Sequence, residues 1–490
     1  MQTNSIIRNT SSLFIAHLAS RILTLVLAII LPRYLEGGFE DLGKYYAALW
    51  LVNLLAMLTE LGMYTPLIRE VAADRSKASQ IITNALAIRL ILCFVTFLII
   101  TVLVRFMYRE IAPLLYILAI SEIMSAIAQL LRRIFRAFER MEFEALGIIL
   151  ERVTVFILGL WVVMRGYGIT SFCIVVLAAS ALSFVLTLLI MLWKFARPSL
   201  KLLDLKVCGY LLKQSLPFAL GGALSIVYFR IDGLMLKQIM GSGGNLAIGW
   251  YGTCYNFVTA LTIIPGAFMG AVFPVMSRMV QSSASAVDYL YTKSLKLTFI
   301  VALPIAIGGT FLAGDIVQIL YPGELFDLQI QAALSRILRI LIWAGALMFF
   351  NTVLITVLRA ANKRRAFSIV MAIVASVNIS SNLILIPRYG HIGPAVSMVI
   401  SELVLLLCGL WYVHSHVCKL SEFGFLLKSA FASAFLALGL FFWEHVAKFG
   451  EDIHIALTIS LAIVSYFAVI IAMRGITRAD IALVRGRFQR

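Results

Sequence analysis

Long apolar stretches recur along the whole chain, and they limit what the chain can fold into. A stretch of about 18 apolar residues or more crosses a bilayer as an α-helix, because lipid offers no hydrogen-bond partner to an unpaired backbone group. The composition agrees, since 62% of the 490 residues are hydrophobic and only 13% are charged. Soluble domains carry about twice that share of charge. The sequence therefore predicts an all-α integral membrane protein.

Polar breaks divide the chain into about fourteen predicted spans. We expect the first to stay as a membrane helix, because it is too long for a cleavable signal, carries Arg21 in mid-run and lacks a small-residue cleavage site. No connection is long enough for a separate ectodomain or soluble catalytic domain. The spans run approximately over residues 12–34, 44–68, 81–104, 111–131, 145–164, 170–193, 212–236, 250–276, 297–319, 337–358, 366–386, 393–417, 429–447 and 454–473.

The distribution of basic residues predicts the orientation in the membrane. With both termini in the cytoplasm, the inside segments carry roughly three times as many Lys and Arg residues as the outside segments, as positive-inside topology requires. The net charge of +17 then reflects topology and attraction to anionic lipid at the inner face. We therefore expect membrane lipid as a partner, no nucleic acid, and a location in the cell (cytoplasmic) membrane.

The cysteine and histidine residues indicate neither a disulfide framework nor a metal site. The six cysteines show no paired spacing and lie mostly within apolar runs. His414 and His416 form an H-x-H at a helix end, where interfacial residues are common. We expect no metal and no cofactor.

Polar side chains form stripes on the predicted helices. In the second span they recur at spacings of three and four, which is one helix face: Tyr46, Trp50, Asn53, Met57, Glu60 and Tyr64. Ser, Thr and Asn in such stripes commonly join helices to one another. An arginine at mid-bilayer costs about 2.5–3.5 kcal/mol, so Arg21, Arg89 and Arg230 each need a negative partner, from a glutamate of another helix or from a ligand.

Arg230 and Asp232 indicate that the seventh span is surrounded by protein or water. Residues two apart on a helix differ by about 200°, so these two cannot share a face. A faint internal repeat supports a central position, because Gly-x-Tyr opens both 42–53 and 248–259. Two related halves would place a substrate path at their interface, and Arg21 stands in the first half where Arg230 stands in the second.

Three stretches resemble the polysaccharide flippases of the multidrug/oligosaccharidyl-lipid/polysaccharide exporter superfamily. They are DLGKYYAALWLVNLLAMLTELGMYTPLIRE (41–70), IDGLMLKQIMG followed by IGWYG (231–241 and 248–252), and LIPRYGHIGPAVSMVISE (385–402). Together with the fourteen spans, the resemblance covers essentially the whole chain. One departure is Pro394, where many relatives have Ala after the Gly; it is expected to bend the start of the twelfth helix without changing the class.

The resemblance implies two pseudo-symmetric six-helix lobes, residues 1–205 and 206–425, followed by a helix pair and a basic cytoplasmic tail, 426–490. It also implies transfer of a lipid-linked oligosaccharide from the inner to the outer leaflet, by a transporter and not an enzyme. Cationic residues line the central cavity of family members, and Arg21, Arg89 and Arg230 fit that role here. Their planar forks match the oxygens of a polyprenyl pyrophosphate.

Further roles are assigned to the polar stripes. Tyr46 and Trp50 offer aromatic faces for sugar rings, and Asn53 lies on the same stripe as a third substrate-binding candidate. Glu60 and Asp232 are candidates for coupling to a proton or a sodium ion, because burial readily tunes a carboxylate. A polysaccharide polymerase or another assembly protein is a candidate partner.

Two other functions stay open at this point. A multidrug exporter of the same superfamily would use Glu60 and Asp232 to bind organic cations, which the three arginines would repel. A membrane glycosyltransferase or polymerase would need catalytic side chains on a sizeable outer loop, and the longest outer segments, 32–44 and 320–336, offer only scattered candidates.

Overall fold

The computed structural model is helical through nearly all of the residues it describes, which are 2–282, 284–420, 422, 424–446 and 451–475, and it has no strand within them. The predicted all-α membrane fold is confirmed. The helices are α1 (Gln2–Tyr34), α2 (Gly38–Glu60), α3 (Tyr64–Ala73), α4 (Ala78–Phe106), α5 (Ala112–Ala137), α6 (Met141–Met164), α7 (Ile169–Lys194), α8 (Leu205–Met240), α9 (Gly244–Leu261), α10 (Ile263–Ser282), α11 (Ala284–Phe311), α12 (Ala313–Leu320), α13 (Leu328–Ala360), α14 (Arg364–Tyr389), α15 (Gly393–His416), α16 (Gly424–Val446) and α17 (Glu451–Ala472).

Each of the fourteen predicted spans overlaps described helix. By length and composition, 11 stretches of described helix are able to cross a membrane, and some of them hold several helices in succession, such as Ala219–Val280. Large apolar side chains face outward, among them Phe94, Trp193 and Leu427, which are 64%, 76% and 78% exposed. Such a surface suits contact with lipid tails and not with water.

Three spans predicted as single helices are broken, which corrects the sequence prediction. The span 44–68 breaks between α2 and α3, where Leu61 and Gly62 have φ of 37° and 70°. The span 250–276 breaks at residue 262, between α9 and α10, and the span 297–319 at residue 312, between α11 and α12.

Proline explains the first two breaks. Pro66 and Pro265 each stand third in the new helix, where a missing N–H is tolerated. In a continuous helix, each ring would clash with the carbonyl four residues earlier, at Gly62 or Leu261. The two breaks follow the two Gly-x-Tyr stretches of the internal repeat. Pro394 is likewise harmless, since it occupies the first turn of α15.

The chain divides into two compact units, Met1–Gly252 and Thr253–Arg490. In the first unit α1 packs on α6, α5 on α7, and α2 on α8. A core of buried apolar side chains from α3, α4, α5 and α7 includes Leu67, Ile82 and Phe135. The lobe boundaries predicted from the family resemblance, at residues 205 and 425, stay a prediction, because packing alone does not define lobes related by pseudo-symmetry.

The second unit is built around α13. This helix packs on α10, α11 and α15, while α14 lies on α15 and α16 lies on both α11 and α17. Val353, Val357 and Val413 are among its fully buried core residues. The inside of the unit is not entirely apolar: the buried Asn351 donates to the carboxylate of Glu402 on α15 at 2.6 Å.

The predicted orientation gives a labelling test. Ser242 is exposed in the turn between α8 and α9, and Ser76 is exposed in the turn between α3 and α4. In a variant lacking the six natural cysteines, S242C should react with an impermeant thiol reagent from outside intact cells. S76C, the matched control, should react only after permeabilisation. The opposite pattern would show that the termini lie outside.

Candidate functional site

Charged side chains of the first unit, some buried and some exposed, form a continuous network, which we call the arginine network. Each member lies close enough to another for their charges to interact, directly or through His17 or Tyr45. The arginines outnumber the glutamates, so the network as a whole is cationic. Its members are Arg21, Arg89, Arg132, Arg133, Arg136, Arg152 and Arg230, with Glu60, Glu122, Glu144 and Glu151.

Arg132 lies on α5 and contacts side chains of α6 and α7. Its guanidinium lies 3.6 Å from the carboxylate of Glu151 and donates to Thr187 Oγ1 at 3.3 Å and to Ser183 Oγ. Space for it comes from Gly147, where a Cβ would lie 2.9 Å from Arg132 Nε. Since Arg132 is buried, Glu151 is only 13% exposed and the two side chains pair, we interpret this pair as a structural element of the network.

A second cluster holds the start of α3 against α5 and α6. Arg136 donates two hydrogen bonds to the carboxylate of Glu144, of 2.5 and 2.7 Å. It also donates to the hydroxyl of Tyr64. Arg133 lies 4.0 Å from the centre of the Tyr64 ring and 3.6 Å from Glu144. One carboxylate thus balances two guanidinium groups, and Tyr64, which directly follows the α2–α3 break, is fixed between them.

Arg89 is placed at the end of α2. It is 4% exposed and donates to the backbone oxygen of Thr59, one of the last carbonyls of that helix, with a longer bond of 3.4 Å to Thr59 Oγ1. The last carbonyls of a helix have no partner within it, and a cation there interacts favourably with the helix dipole. Arg89 therefore stabilises the α2–α3 break, and the charges of Glu60 and Glu122 act on it as well.

The three arginines predicted as one site lie in different parts of the network. Arg21 is exposed on α1 near His17, and Arg230 is half-buried on α8 near Tyr45. Arg89 is the buried one of the three. A common role in binding a head group stays a prediction.

The two predicted coupling carboxylates differ in their surroundings. Asp232 is 3% exposed and accepts a hydrogen bond of 2.8 Å from the hydroxyl of Tyr251. Glu60 is half-buried, and the charges of Arg89 and Arg133 reach it. Neither observation tests ion coupling.

The predicted aromatic contacts, Tyr46 and Trp50, lie between helices. Their rings stack on each other with centroids 5.8 Å apart, and Trp50 and Tyr251 form a T-shaped contact. Glycines make the room: a Cβ at Gly233 would lie 1.8 Å from Trp50 Cζ3, and one at Gly252 would lie 2.5 Å from Tyr46 Cδ2. Both rings are therefore enclosed by protein, whereas Asn53 on the same helix is half-buried. Binding of sugar by these residues stays a prediction.

Sequence reasoning did not place several network members in the site. Arg132, Arg133 and Arg136 belong to the last turns of α5, which extends to Ala137, whereas the span was predicted to end at 131. Arg133 and Arg136 do continue the polar stripe of α5 at helical spacing, and that signal could have found them. Arg152 and Tyr45 carry no comparable pattern.

Metal chemistry has no support among the described residues. No group of three or more His, Cys, Asp or Glu side chains in the part of the chain that the structure describes could hold a metal ion.

The sequence profile of one family matches residues 6–280, more than half of the chain. That family is described as "Polysaccharide biosynthesis protein". The chain belongs to this family. The resemblance to polysaccharide flippases seen in the motifs is thereby confirmed.

Among curated proteins, an uncharacterized membrane protein of Methanocaldococcus jannaschii is 22% identical to this polysaccharide biosynthesis family member over 236 residues. The match covers 48% of this chain and 44% of the relative, so the chain spans less than half the length of that relative.

Solved structures show which fold the family member shares. A lipid II flippase, MurJ, in an inward closed conformation is 20% identical with a TM-score of 0.73, and the match covers 94% of this chain and 98% of that one. An inward-facing multidrug resistance MATE family transporter is 17% identical, with a TM-score of 0.61 and coverage of 82% and 94%. The fold is therefore that of multi-helix flippases and transporters.

Proposed function

We propose that the protein moves a polyprenyl-pyrophosphate-linked oligosaccharide from the inner to the outer leaflet by alternating access. The observation that supports this most is the cationic excess of the arginine network. A transporter that carries its cargo through low-dielectric surroundings needs opposite charge along the path, because an unpaired charge there is costly. A pyrophosphate supplies negative charge, and its lipid tail stays in the bilayer during transfer.

The residue roles follow from the network. Arg21 and Arg230 contact the pyrophosphate, and Arg89 contributes from the α2–α3 break. Tyr46, Trp50 and Asn53 contact the saccharide in states in which α2 has moved from α8. Glu60 or Asp232 couples transfer to a proton or a sodium ion.

Organic cations fit this network less well than an anion. Within the described part of the arginine network, Glu144 and Glu151 are in direct ion-pair contact, and arginines already occupy both. A cationic drug would meet the remaining guanidinium groups first. The structural likeness to MATE transporters therefore concerns the fold, and the proposed cargo is the lipid-linked saccharide.

Deleting the gene in its native host tests the proposal. A polyprenyl-linked saccharide should accumulate and stay inaccessible to an impermeant lectin in intact cells, while inverted membrane vesicles should bind the lectin. A plasmid copy should restore exposure on the outside. If no lipid-linked saccharide accumulates, and the deletion instead lowers resistance to organic cations, the protein is a drug exporter.

A further inference from the structure

A cavity of about 390 Å³ lies where α4 meets α5. Its wall includes Val102, Arg105 and Phe106 from the last turns of α4, Arg109 from the connection between the two helices, and Tyr116 from α5. Pockets that bind small ligands commonly measure about 300–1,000 Å³. The cavity therefore has room for a small ligand.

Two positive charges at this cavity are not paired within the described chain. Neither guanidinium, that of Arg105 or that of Arg109, forms an ion pair or a hydrogen bond with a described residue. Glu110, which follows Arg109 in the sequence, pairs instead with Lys237 of α8 at 3.0 Å and accepts a hydrogen bond of 2.8 Å from Asn245. Both arginines are exposed, so their N–H groups are available to a ligand.

Tyr116 adds a third polar group to the wall of the cavity. Its ring lies against Phe97 of α4, with centroids 6.0 Å apart. The hydroxyl makes no hydrogen bond in the part of the chain that the structure describes, so it has a donor to offer. The cavity thus combines apolar side chains with the donors of two guanidinium groups and one phenol.

The face of α4 that carries Arg105 is directed away from the arginine network. Arg89, the network member on this helix, is buried, whereas Arg105 is exposed. The two positions are 16 residues apart in one helix, which at 100° per residue places them about 160° apart around its axis. The cavity therefore opens to the surroundings of the unit, and a molecule can reach it without passing through the network.

The exposed face of α4 forms an apolar stripe that ends at the cavity. Its large side chains recur every three or four residues, and each is exposed: Ile91, Phe94, Leu98 and Val102. From the first to the last of them the helix rises about 16 Å, close to half of the hydrocarbon core of a bilayer, which is about 30 Å thick. An acyl chain in one leaflet spans the same depth. Arg105 follows one turn beyond Val102, at the level of a lipid head group.

We infer that the α4–α5 cavity binds an anionic phospholipid of the adjacent leaflet, with its phosphate on Arg105 and Arg109 and one acyl chain along the apolar stripe. Guanidinium groups bind phosphate oxygens bidentately, and Tyr116 donates to a further head-group oxygen. A zwitterionic head group binds more weakly, because the two arginines repel its cation. The site lies outside the proposed transport route, so its occupant is a lipid of the bilayer and not the cargo. Under the predicted orientation, this leaflet is the outer one.

Native mass spectrometry of the purified full-length protein, titrated with lipid in detergent, tests the site. The probes are phosphatidylglycerol, phosphatidylcholine with the same acyl chains, geranylgeranyl pyrophosphate and inorganic phosphate. The first phosphatidylglycerol should bind at least tenfold more tightly than phosphatidylcholine, since a charge-assisted contact changes affinity by about tenfold or more. An equimolar amount of geranylgeranyl pyrophosphate or of inorganic phosphate should leave it bound.

Variants separate the site from general surface charge. The double variant Arg105→Ala/Arg109→Ala should weaken phosphatidylglycerol binding about ten- to a hundredfold. Val102→Trp, which fills the cavity without changing the charge, should weaken it about tenfold. The matched controls lie on or just beyond α6, where Arg165 and Ile157 are also exposed. Arg165→Ala and Ile157→Trp should leave binding unchanged.

A thermal measurement adds a readout that does not count bound lipids. Phosphatidylglycerol should raise the melting temperature of the wild type more than phosphatidylcholine does, because a ligand that binds the folded state stabilises it. The double alanine variant should lose this difference. Without lipid, it should melt like the wild type, since both arginines are exposed.

Three results would overturn the site: equal affinity for the two phospholipids, unchanged binding by both the double alanine variant and Val102→Trp, or a loss in Arg165→Ala as large as in the double variant. Displacement of phosphatidylglycerol by inorganic phosphate would assign the cavity to a soluble anion and reject the phospholipid. Displacement by geranylgeranyl pyrophosphate would assign it to an isoprenoid lipid and reject the phospholipid as well.

Discussion

Replacing Gly43 or Gly249 with valine is expected to abolish transport, because α2 and α9 touch through their backbones at these positions. A Cβ at Gly43 would lie 1.7 Å from the carbonyl oxygen of Asn245, and one at Gly249 would lie 2.0 Å from that of Phe39. Real Cβ atoms do not approach backbone so closely, so the helices must separate. Overpacking costs about 1–3 kcal/mol, which lowers the population of this closed contact roughly five- to 150-fold relative to states without it.

Rescue of the deletion strain, measured with protein abundance, checks this prediction. Gly222→Val on α8 is the control, because a Cβ there meets no heavy atom within 4 Å. The contact would be unimportant if Gly43→Val and Gly249→Val rescued transport as well as Gly222→Val at equal abundance. A melting temperature in detergent adds a readout that does not depend on the proposed cargo.

Under the proposed function, the contact matters for transport because it brings together three connections of the first unit. Close by, Glu110, between α4 and α5, pairs with Lys237 of α8 at 3.0 Å and accepts from Asn245 of α9 at 2.8 Å. The connections α1–α2, α4–α5 and α8–α9 are thus joined at one end. A transporter that alternates between inward- and outward-open states must break and re-form such contacts. A valine side chain at Gly43 or Gly249 would prevent the contact from re-forming.

Removing the charge of Glu144 is expected to destabilise the protein strongly. Its side chain is 4% exposed and balances both Arg133 and Arg136. Breaking a buried ion pair by removing one partner costs about 3–5 kcal/mol, because the remaining charge stays buried without compensation. Glu144→Gln should therefore lower the melting temperature of the purified protein and its abundance in the membrane.

The chain offers a matched control on the same helix. Glu142 pairs with Arg140, but these side chains are 36% and 51% exposed, and a surface pair contributes at most about 1 kcal/mol. Glu142→Gln should therefore have little effect. Adding Arg136→Gln to Glu144→Gln should recover part of the loss, since the two effects are coupled. Equal melting temperatures for Glu144→Gln and Glu142→Gln would show that the cluster contributes no stability.

The cluster of Tyr64, Arg133, Arg136 and Glu144 lies next to the break in the second predicted span. Tyr64 is held by Arg133 and Arg136 just after the break, and Arg89 binds the end of α2 just before it. Arginines on both α4 and α5 therefore bind the two sides of the α2–α3 break.

Sequence patterns predicted the spans well because hydrophobicity is local. A run of apolar residues lowers its free energy in lipid whatever its neighbours are, and a helix satisfies its own backbone. The breaks were missed even though Pro66 and Pro265 are visible in the sequence. A proline inside a long apolar run can either kink a helix or end it, and the sequence does not distinguish the two outcomes. Here α2 ends because Leu61 and Gly62 adopt left-handed backbone conformations, which only the folded structure shows.

By itself, the sequence determined the class of fold and the family, because both depend on composition, spacing and motifs. The tertiary structure alone decided which charges have partners. Arg89 and Arg132 are bound by residues on other helices, and Tyr46 and Trp50 are enclosed beside glycines. Periodicity gives the face on which a side chain lies, but the rotation and packing of the neighbouring helix determine what that face meets.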